Sequence, residues 1–298
     1  MSVPFPLASE VAPRVESVAR TGSTNADLRA HAADAIGWPH LSTLVTRDQT
    51  AGRGRLDRTW VAPEGSAIAV SVLLRELPDE PAARGWLPLA AGVAMCDAIA
   101  AQLPEHEVAV KWPNDVLVDG RKICGILAEA TADAVIIGAG VNTAMTSAQL
   151  PVPTATSFGA LGVAADDDRL LAAYLRLLDA LVSELNATGG ALQSGLHSAA
   201  TARCATLGQA VRVSMPGGHV VEGTAAALDA DGRLVVTAGG AARDLCGRCG
   251  ARASGGKLTR RSTDGDVADH RHNGGVTQPV TLGGRPLMPP PGTPPRSS

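Results

Sequence analysis

The sequence predicts an α+β protein in which strands and helices share one larger domain and a small all-β domain follows. Strand-type and helix-type spacings of apolar residues alternate between residues 23 and 189. From Ala210 the chain changes to short β-branched runs separated by glycine turns, which is typical of a small antiparallel barrel or sandwich. After Gly240 it is rich in Gly, Arg, Pro, Ser and Thr, and it has too few apolar residues to fold alone.

The first predicted elements are a short helix and two strands. The polar residues 23–25, followed by an alanine-rich segment to residue 35, indicate a capped helix. Segments 41–47 and 67–74 are rich in β-branched and aliphatic residues, which predicts two strands joined by a long loop. The alternation in the second strand places Ile68, Val70, Val72 and Leu74 on one face.

The next elements complete the larger domain. Apolar residues recur at helical spacing over 86–103, and a strand follows from Val108 into Lys111-Trp112-Pro113. Asp119-Gly120 between β-branched flanks is a strong signal for a tight hairpin. A further strand over 133–142 precedes a long amphipathic helix over 166–189, which begins with aspartates and ends with glycines.

Composition excludes several classes of function. The net charge is −3, from 26 basic and 29 acidic residues, so no global field would recruit nucleic acid or an anionic membrane. Five cysteines with irregular spacing do not form a disulfide framework and are typical of a reducing compartment. No segment has the length and apolarity of a membrane span or a signal peptide, so we expect a cytoplasmic protein.

Two basic clusters are candidate anion sites. Gly52-Arg53-Gly54-Arg55 carries two guanidinium groups on a loop whose glycines permit close approach to a phosphate. Lys111 and Lys122, predicted on neighbouring strands, could bind an anion where Gly125 leaves space on the sheet. Taken alone, the arginine cluster is equally well explained as a solvated basic turn, and each lysine is better explained as a solvated charge at the end of a strand.

Other motifs carry little weight. Gly138-Ala139-Gly140 lacks the third glycine of a dinucleotide fingerprint, and Gly256-Lys257 is not a P-loop. Cys246 and Cys249 form a C-x-x-C upstream of two histidines, but without a second close pair they indicate a zinc site only weakly. No Ser-His-Asp arrangement can be recognised, and no metal ligand is predicted with certainty.

Four segments in series resemble the biotin-protein ligase family: Ser23-Thr24-Asn25, QTAGRGRLDRTW from Gln49, KWPNDVL from Lys111 with KICGILAE from Lys122, and GAGVN from Gly138. The similarity covers about residues 14–237. It implies a mixed β-sheet with flanking helices, related to class II aminoacyl-tRNA synthetases, followed by a small SH3-like β-barrel. The expected organisation is an N-terminal extension (1–13), a catalytic domain (14–205), an SH3-like domain (206–242) and a disordered tail (243–298).

The resemblance also implies the activity. Such enzymes use ATP and Mg²⁺ to convert biotin to biotinyl-5′-AMP, and then transfer biotin to a lysine of a biotin carboxyl carrier protein domain in acetyl-CoA carboxylase or a related carboxylase. Some members carry an N-terminal helix-turn-helix and repress transcription. Here the ligase motifs begin by Ser23, so we expect a monofunctional enzyme that does not bind DNA.

The site residues are transferred from the same motifs. The implied biotin-binding residues are Ser23, Thr24, Asn25, Gln49, Gly52, Arg53, Gly54, Arg55, Lys122 and Gly125, with Gly138 and Gly140 in the same wall. The implied ATP-binding residues are Arg55, Trp60, Lys111, Asn114, Lys122 and Asn142. The implied catalytic residues are Lys122, Arg53 and Arg55. We interpret Asn114 and Asp115 as turn residues rather than Mg²⁺ ligands, because Pro-Asn-Asp is common in turns.

Two alternatives remain open at this point. A lipoate or octanoate ligase has the same fold, although a fatty-acyl chain would not need the polar set that binds a ureido ring. A non-catalytic biotin or adenylate sensor is the other. The chain also continues as ARDLCGRCGARAS where the family usually ends, and we hypothesise a shifted reading frame that leaves the small domain short of a strand. An intact frame in the coding DNA of close relatives would contradict this hypothesis.

Overall fold

Two larger β-sheets, a two-stranded sheet formed by β3 and β4, and five α-helices form the part of the protein that the computed structural model describes, namely residues 5–55, 58–215, 219–239, 241–245 and 250–253, the last two by backbone alone. The first half contains α1 (Pro6–Ser9), β1 (Val15–Ser17), α2 (Thr24–His31), β2 (Thr43–Thr46), β3 (Gly52–Arg53), β4 (Thr59–Trp60), β5 (Ala67–Leu74), a 3-10 turn (Ala83–Trp86) and α3 (Leu87–Ala100). The second half contains β6 (Val108–Lys111), β7 (Asp115–Val118), β8 (Arg121–Ala130), β9 (Val135–Asn142), a 3-10 turn (Gly159–Leu161), α4 (Asp167–Thr188), α5 (Leu196–Arg203), β10 (Ala210–Ser214), β11 (Val220–Leu228), β12 (Leu234–Ala238), β13 (Ala241–Leu245) and β14 (Gly250–Ala253).

The larger sheet has the strand order β1-β2-β5-β9-β8-β7-β6. Strands β1 and β2 are parallel and every other neighbouring pair is antiparallel, which confirms the predicted mixed sheet with flanking helices. Strand β7 separates Lys111 on β6 from Lys122 on β8, so the expectation that these lysines lie on neighbouring strands was wrong. They lie two strands apart because the Asp119-Gly120 hairpin inserts β7 between them.

Local signals set the ends of several elements. Asp119 and Gly120 both have positive φ, 48° and 75°, which is the conformation of the tight hairpin predicted there. Asp166 caps α4 by accepting a hydrogen bond from the Arg169 N–H, and Gly189 ends the helix with φ of 73°. Helix α2 begins after Ser23 as predicted, but it ends at His31, short of the expected residue 35.

The core is aliphatic and lies on both faces of the larger sheet. All eight residues of β5 are buried: Ile68, Val70, Val72 and Leu74 lie on one face, as predicted, and Leu73 packs into the second cluster on the other face. Helices α3 and α4 cover one face, while Leu28 of α2, with Trp38, packs against Leu44 and Leu73 on the other. No helix in the described part of the chain is long and apolar enough to cross a membrane.

The first described residues pack onto the larger domain. Phe5 and Ala8 are buried in its core, and the N–H groups of Leu7 and Ala8 donate to the Asp168 carboxylate at 3.0 and 3.1 Å. Asp168 of α4 therefore caps the start of α1 and ties the segment predicted as an N-terminal extension to the larger domain. Helix α5 was not predicted, and its Arg203 forms a two-pronged ion pair with Asp97 of α3.

The second sheet is antiparallel, with the strand order β13-β12-β11-β10-β14. Strand β14 lies beyond residue 242, where the sequence predicts the end of this domain, because backbone pairing with β10 adds it to the sheet. The described part of this second sheet thus contains five strands. Residues 254–298, with Cys246, Cys249 and the downstream histidines, lie outside the described residues.

Two buried tryptophans join the small sheet to the larger domain. The indole N–H of Trp86 donates to the Ala230 carbonyl at 2.8 Å, and that of Trp112 donates to the Gly232 carbonyl at 3.0 Å. This confirms the expectation that Trp86 is packed with its N–H satisfied. Both acceptors belong to the turn between β11 and β12, so this turn fixes the small sheet beside β6 and α3.

Replacing Trp86 by phenylalanine should destabilise the protein by about 1–3 kcal/mol, because the smaller ring would leave space at a fully buried position and the hydrogen bond to the Ala230 carbonyl would be lost. The measurement is urea unfolding followed by circular dichroism. Trp38→Phe is the control, since Trp38 is buried but packs against His31 and Arg14 within the larger domain. An unchanged unfolding midpoint for Trp86→Phe would show that this hydrogen bond makes no net contribution.

Candidate active site

A cavity of about 570 Å³ lies over the larger sheet, and its floor is made mainly of glycine. Strand register pairs Asp115 with Gly125, Gly125 with Gly140, and Gly140 with Ala69, which gives one row across four strands. Gly138 lies in the next row. Because residues that alternate along a strand share a face, Gly138 and Gly140 both point at the cavity. The floor therefore lacks side chains where a ligand would lie.

One functional side chain stands over each floor glycine. A Cβ atom on Gly125 would lie 2.9 Å from the Lys122 amine, and one on Gly138 would lie 2.4 Å from the Asn25 amide oxygen. A Cβ atom on Gly140 would lie 2.6 Å from the Trp60 ring. These positions require glycine because the backbone of the sheet and the side chain above it approach so closely.

The start of α2 supplies the polar end of the cavity. Ser23 caps the helix by accepting a hydrogen bond from the Ala26 N–H at 3.4 Å. The Thr24 N–H and hydroxyl both donate to the Gln49 side-chain oxygen, at 2.8 and 3.1 Å. Ser23, Thr24 and Asn25 are each less than 10% exposed. These buried groups are held in fixed orientations, which suits recognition of a polar ligand by directional hydrogen bonds.

The Asn25 amide is fixed from two sides. Its oxygen accepts a hydrogen bond from the Ser71 hydroxyl at 2.5 Å, and its nitrogen donates to the Glu129 carboxylate at 2.7 Å. Glu129 is itself paired with Arg29 at 2.6 Å. Ser71 and Glu129 were not predicted from the sequence, because only the strand register brings β5 and β8 to opposite sides of Asn25.

The other end of the cavity is strongly cationic. Six basic side chains line it: Arg53, Arg55, Arg58, Lys111, Lys122 and Arg212. Asp115 is the one acidic residue among the described residues that line the cavity, and its carboxylate lies 2.6 Å from the Lys122 amine. Such a concentration of cations in a chain of net charge −3 indicates a local site for anions.

The described residues between β3 and β4, namely Gly54, Arg55 and Arg58, line one side of the cavity and form, together with Arg53, its covering loop. Gly52 and Arg53 pair with Trp60 and Thr59, which places the Trp60 ring over the floor. The Arg55 guanidinium donates to the Asn114 side-chain oxygen at 3.3 Å. The Asn114 amide in turn donates to the Ile126 carbonyl of β8 at 2.7 Å, so Asn114 connects the loop to the sheet.

Most of the predicted site residues converge on this cavity. Those that line it are Ser23, Thr24, Asn25, Gln49, Arg53, Gly54, Arg55, Trp60, Lys111, Asn114, Lys122 and Gly125. Gly52 is not among the lining residues, but a Cβ there would lie 2.4 Å from the Gln49 amide nitrogen, so it leaves space for Gln49. Asn142 also lies outside the lining, since it is buried and donates to the Thr156 carbonyl at 2.9 Å.

Two lining residues come from the second sheet. Arg212 and Ser214 alternate along β10 and both reach the cavity. Their part in the site was not predicted, because residues 206–242 were expected to form a separate small domain. The period-two pattern of AVRVS was the available signal, because it places Arg212 and Ser214 on the face opposite Val211 and Val213.

The described residues offer neither a metal cluster nor a reactive thiol at this site. Within them, no group of three or more His, Cys, Asp or Glu side chains could hold a metal ion. Cys124 precedes the floor residue Gly125 and is fully buried, and desolvation raises the pKa of its thiol to about 12. The thiol is therefore protonated at neutral pH and is not a nucleophile.

Two family models match the chain. The biotin/lipoate A/B protein ligase family matches residues 18–142, and the biotin protein ligase C-terminal domain matches residues 206–246. The chain is 41% identical over 230 residues to a biotin--[acetyl-CoA-carboxylase] ligase of Mycobacterium tuberculosis, an alignment that spans 76% of this chain and 84% of that relative.

Solved structures share the fold. Biotin protein ligase from Aquifex aeolicus, in complex with biotin and ATP, superposes with a TM-score of 0.68 at 22% identity over 81% of this chain and 99% of that one. Biotin protein ligase from Leishmania major, in complex with biotin, gives a TM-score of 0.56 at 28% identity over 78% and 98% of the two chains. The mixed sheet followed by a small antiparallel sheet is thus an established architecture.

Proposed function

The chain belongs to the biotin protein ligase family, and on that premise we propose that it uses ATP to activate biotin and transfers biotin to a lysine of a carrier protein. One observation supports this most directly. A single glycine-floored cavity has a fixed polar end formed by Ser23, Thr24, Asn25 and Gln49, and a cationic end that surrounds Lys122. A ligand with a polar ring at one end and a carboxylate at the other fits this division.

The polar end distinguishes biotin from the substrates of related acyl ligases. A ureido ring presents two N–H donors and one carbonyl acceptor, which can pair with the hydroxyl and amide groups of Thr24 and Asn25. A lipoyl or octanoyl chain has no polar group that could use the remaining hydrogen-bonding capacity of this end, and it would displace water from these polar groups without replacing the hydrogen bonds lost. We therefore favour biotin over lipoate or octanoate.

The cationic end suits attack of the biotin carboxylate on the α-phosphorus of ATP. That step brings two anionic groups together, so fixed positive charge must be present where negative charge develops. We assign this role to Lys122, Arg53 and Arg55, with Lys111, Asn114 and Trp60 toward the nucleotide. Closure of the loop that carries Arg53 and Arg55 would keep water away from the mixed anhydride, biotinyl-5′-AMP.

Mg²⁺ is expected to enter as its complex with ATP. The described residues provide no ligand cluster for it, as noted above, and the phosphate oxygens of ATP are the hard ligands that this ion prefers. Its contribution would be to neutralise phosphate charge, while the residues of the chain orient the carboxylate and the α-phosphate.

We propose a biotin carboxyl carrier domain of acetyl-CoA carboxylase, or of a related carboxylase, as the acceptor, and the cytoplasm as the location. The acceptor is proposed from the name of the mycobacterial relative, which is a biotin--[acetyl-CoA-carboxylase] ligase. The location is supported by three free, buried thiols, Cys96, Cys124 and Cys204, which are typical of a reducing compartment.

The test is transfer of labelled biotin, with Mg-ATP, to a purified biotin carboxyl carrier domain, with octanoate and lipoate as competitors. Labelled carrier should accumulate only when ATP is present, and neither fatty acid should compete. Preferential transfer of octanoate or lipoate would identify an acyl ligase instead. Binding of biotin without any transfer would identify a sensor, although the presence of Lys122, Arg53 and Arg55 favours turnover.

Replacing Glu129 by glutamine should weaken biotin binding about tenfold, or about 1.4 kcal/mol, because Asn25 would exchange a charge-assisted hydrogen bond for a weaker neutral one and the ion pair that holds residue 129 to Arg29 would be lost. Isothermal titration calorimetry with biotin alone measures this. Asp133→Asn is the matched control, because Asp133 follows the same strand and pairs with Arg75 outside the cavity. Equal affinity in the two variants would show that Glu129 does not position Asn25.

A further inference from the structure

Asp115 is the one acidic residue among the described residues that line this mainly cationic cavity. The six basic residues that line it suit anionic substrates, whereas a carboxylate among them would repel the biotin carboxylate and the phosphates. Asp115 is nonetheless turned into this space, with its side chain only 20% exposed. A charge that opposes the binding of both substrates of the first step must serve another purpose.

The strand register puts Asp115 in the middle of the reacting end. It begins β7, directly opposite Lys111 of β6 on one side and Gly125 of β8 on the other. Lys122 reaches over Gly125 to place its amine 2.6 Å from the Asp115 carboxylate. The Asp115 carboxylate therefore lies beside the amine that we assign to the carboxylate and α-phosphate of the adenylate.

None of the residues assigned so far can act as the base that the second step of the reaction requires. The lysine that attacks biotinyl-5′-AMP is an ammonium at neutral pH and cannot form a bond until it loses a proton. An ammonium that approaches this cavity is repelled by Lys111, Lys122 and the arginines of the covering loop. Among the described residues that line the cavity, the Asp115 carboxylate alone attracts it.

From this juxtaposition, which rests on the proposed ligase function, we propose that Asp115 binds the acceptor ammonium and acts as the general base for its deprotonation. In the resting protein Asp115 is paired with Lys122. Once Lys122 engages the adenylate, the carboxylate is freed beside the reacting carbonyl. One residue thus holds Lys122 in place before the first step and recognises the acceptor lysine in the second.

The step balances as an acyl transfer. The acceptor ammonium gives one proton to Asp115, and the resulting amine forms a bond to the carbonyl carbon of biotinyl-5′-AMP. The bond between that carbon and the phosphate oxygen breaks, and AMP leaves with the electron pair. The second proton on the nitrogen passes to the leaving phosphate or to water, and Asp115 returns its proton to solvent. The products are the biotinyl amide and AMP.

The test compares the rates of the two half-reactions in the Asp115→Asn variant with those in the unmodified protein. Adenylate formation is measured with biotin and Mg-ATP, and transfer is measured in a single turnover from enzyme-bound biotinyl-5′-AMP to the carrier domain. We expect transfer to fall about 100-fold more than adenylate formation, in the range that general-base catalysis contributes. Asp119→Asn is the matched control, since Asp119 lies on the same hairpin outside the cavity and should leave both rates unchanged.

The pH profile distinguishes a base from a residue that only holds Lys122. In Asp115→Asn the transfer rate should rise about tenfold per pH unit below the amine pKa of about 10.4, because only free amine reacts. The unmodified protein and Asp115→Glu, which keeps a carboxylate, should show a flat profile over the same range. Groups that face Asp115, namely Lys111, Lys122 and the loop arginines, remain in all three proteins.

The outcomes are distinct. Equal losses in both half-reactions, with no new pH slope, would reduce Asp115 to a positioning residue and overturn the proposal. An Asp115→Glu variant with the same slope as Asp115→Asn would also overturn it. Failure of the unmodified protein to form biotinyl-5′-AMP would instead overturn the proposed function itself.

Discussion

Replacing Lys122 by alanine is expected to slow the formation of biotinyl-5′-AMP by about 10³-fold, the upper end of the loss seen when one fixed donor to developing negative charge is removed. The loss should be large because the amine lies at the centre of the cationic end and because Asp115 would be left without its partner. Both changes raise the energy of an anionic transition state. Rapid-quench measurement of adenylate formation, with saturating biotin and Mg-ATP, gives the rate directly.

Arg121→Ala is the matched control for this variant. Arg121 is the preceding residue of β8, is exposed, and does not line the cavity, so its removal lowers the positive charge of the chain by the same amount. Its adenylation rate should be unchanged. Equal, small losses in the two variants would mean that Lys122 acts only through the overall field and not through contact with the reacting groups.

Replacing Gly138 by alanine is expected to raise the Kd for biotin by roughly 100-fold, or about 3 kcal/mol, the cost of overpacking a filled site. The new methyl carbon would lie 2.4 Å from the Asn25 amide oxygen, and that amide is fixed by Ser71 and Glu129. Asn25 must therefore leave its position or the sheet must shift, and either change disrupts the polar end. Calorimetric titration with biotin measures the effect without ATP or acceptor.

Gly92→Ala serves as the control for Gly138→Ala. Gly92 lies in α3 on the opposite side of the sheet, where a methyl carbon would meet no atom closer than 3.4 Å. Its affinity for biotin should equal that of the unmodified protein. Unchanged affinity in Gly138→Ala would show that the polar end tolerates movement of Asn25, and the assignment of that end to the ureido ring would fail.

The elements that the sequence predicted well are those set by local signals. The Asp119-Gly120 hairpin and the caps of α4 depend on residues within a few positions of one another, so the printed sequence is sufficient to find them. Helix α1 is a single turn whose position depends on Asp168, far along the chain, and no local pattern reveals it.

The site was predicted through its motifs but not through its supports. Asn25 and Lys122 could be named from the sequence, whereas Ser71, Glu129 and Asp115 acquire their roles only through strand register. The alternation of Gly138 and Gly140 along one face of a strand was a readable signal that this face is bare. The contribution of β10 required knowledge of where the second sheet lies, which depends on tertiary contacts such as those of Trp86 and Trp112.

The glycine floor limits how the substrate range of this protein can be altered. A surface that has no side chains at Gly125, Gly138 and Gly140 is already as low as a sheet can be, so no substitution there enlarges the cavity. Room for bulkier biotin analogues must come from the residues that stand above the floor. Trp60 is the largest of them, and trimming it would widen the cavity toward the nucleotide while leaving the polar end untouched. Variants intended to accept bulkier biotin analogues should therefore begin with substitutions of Trp60.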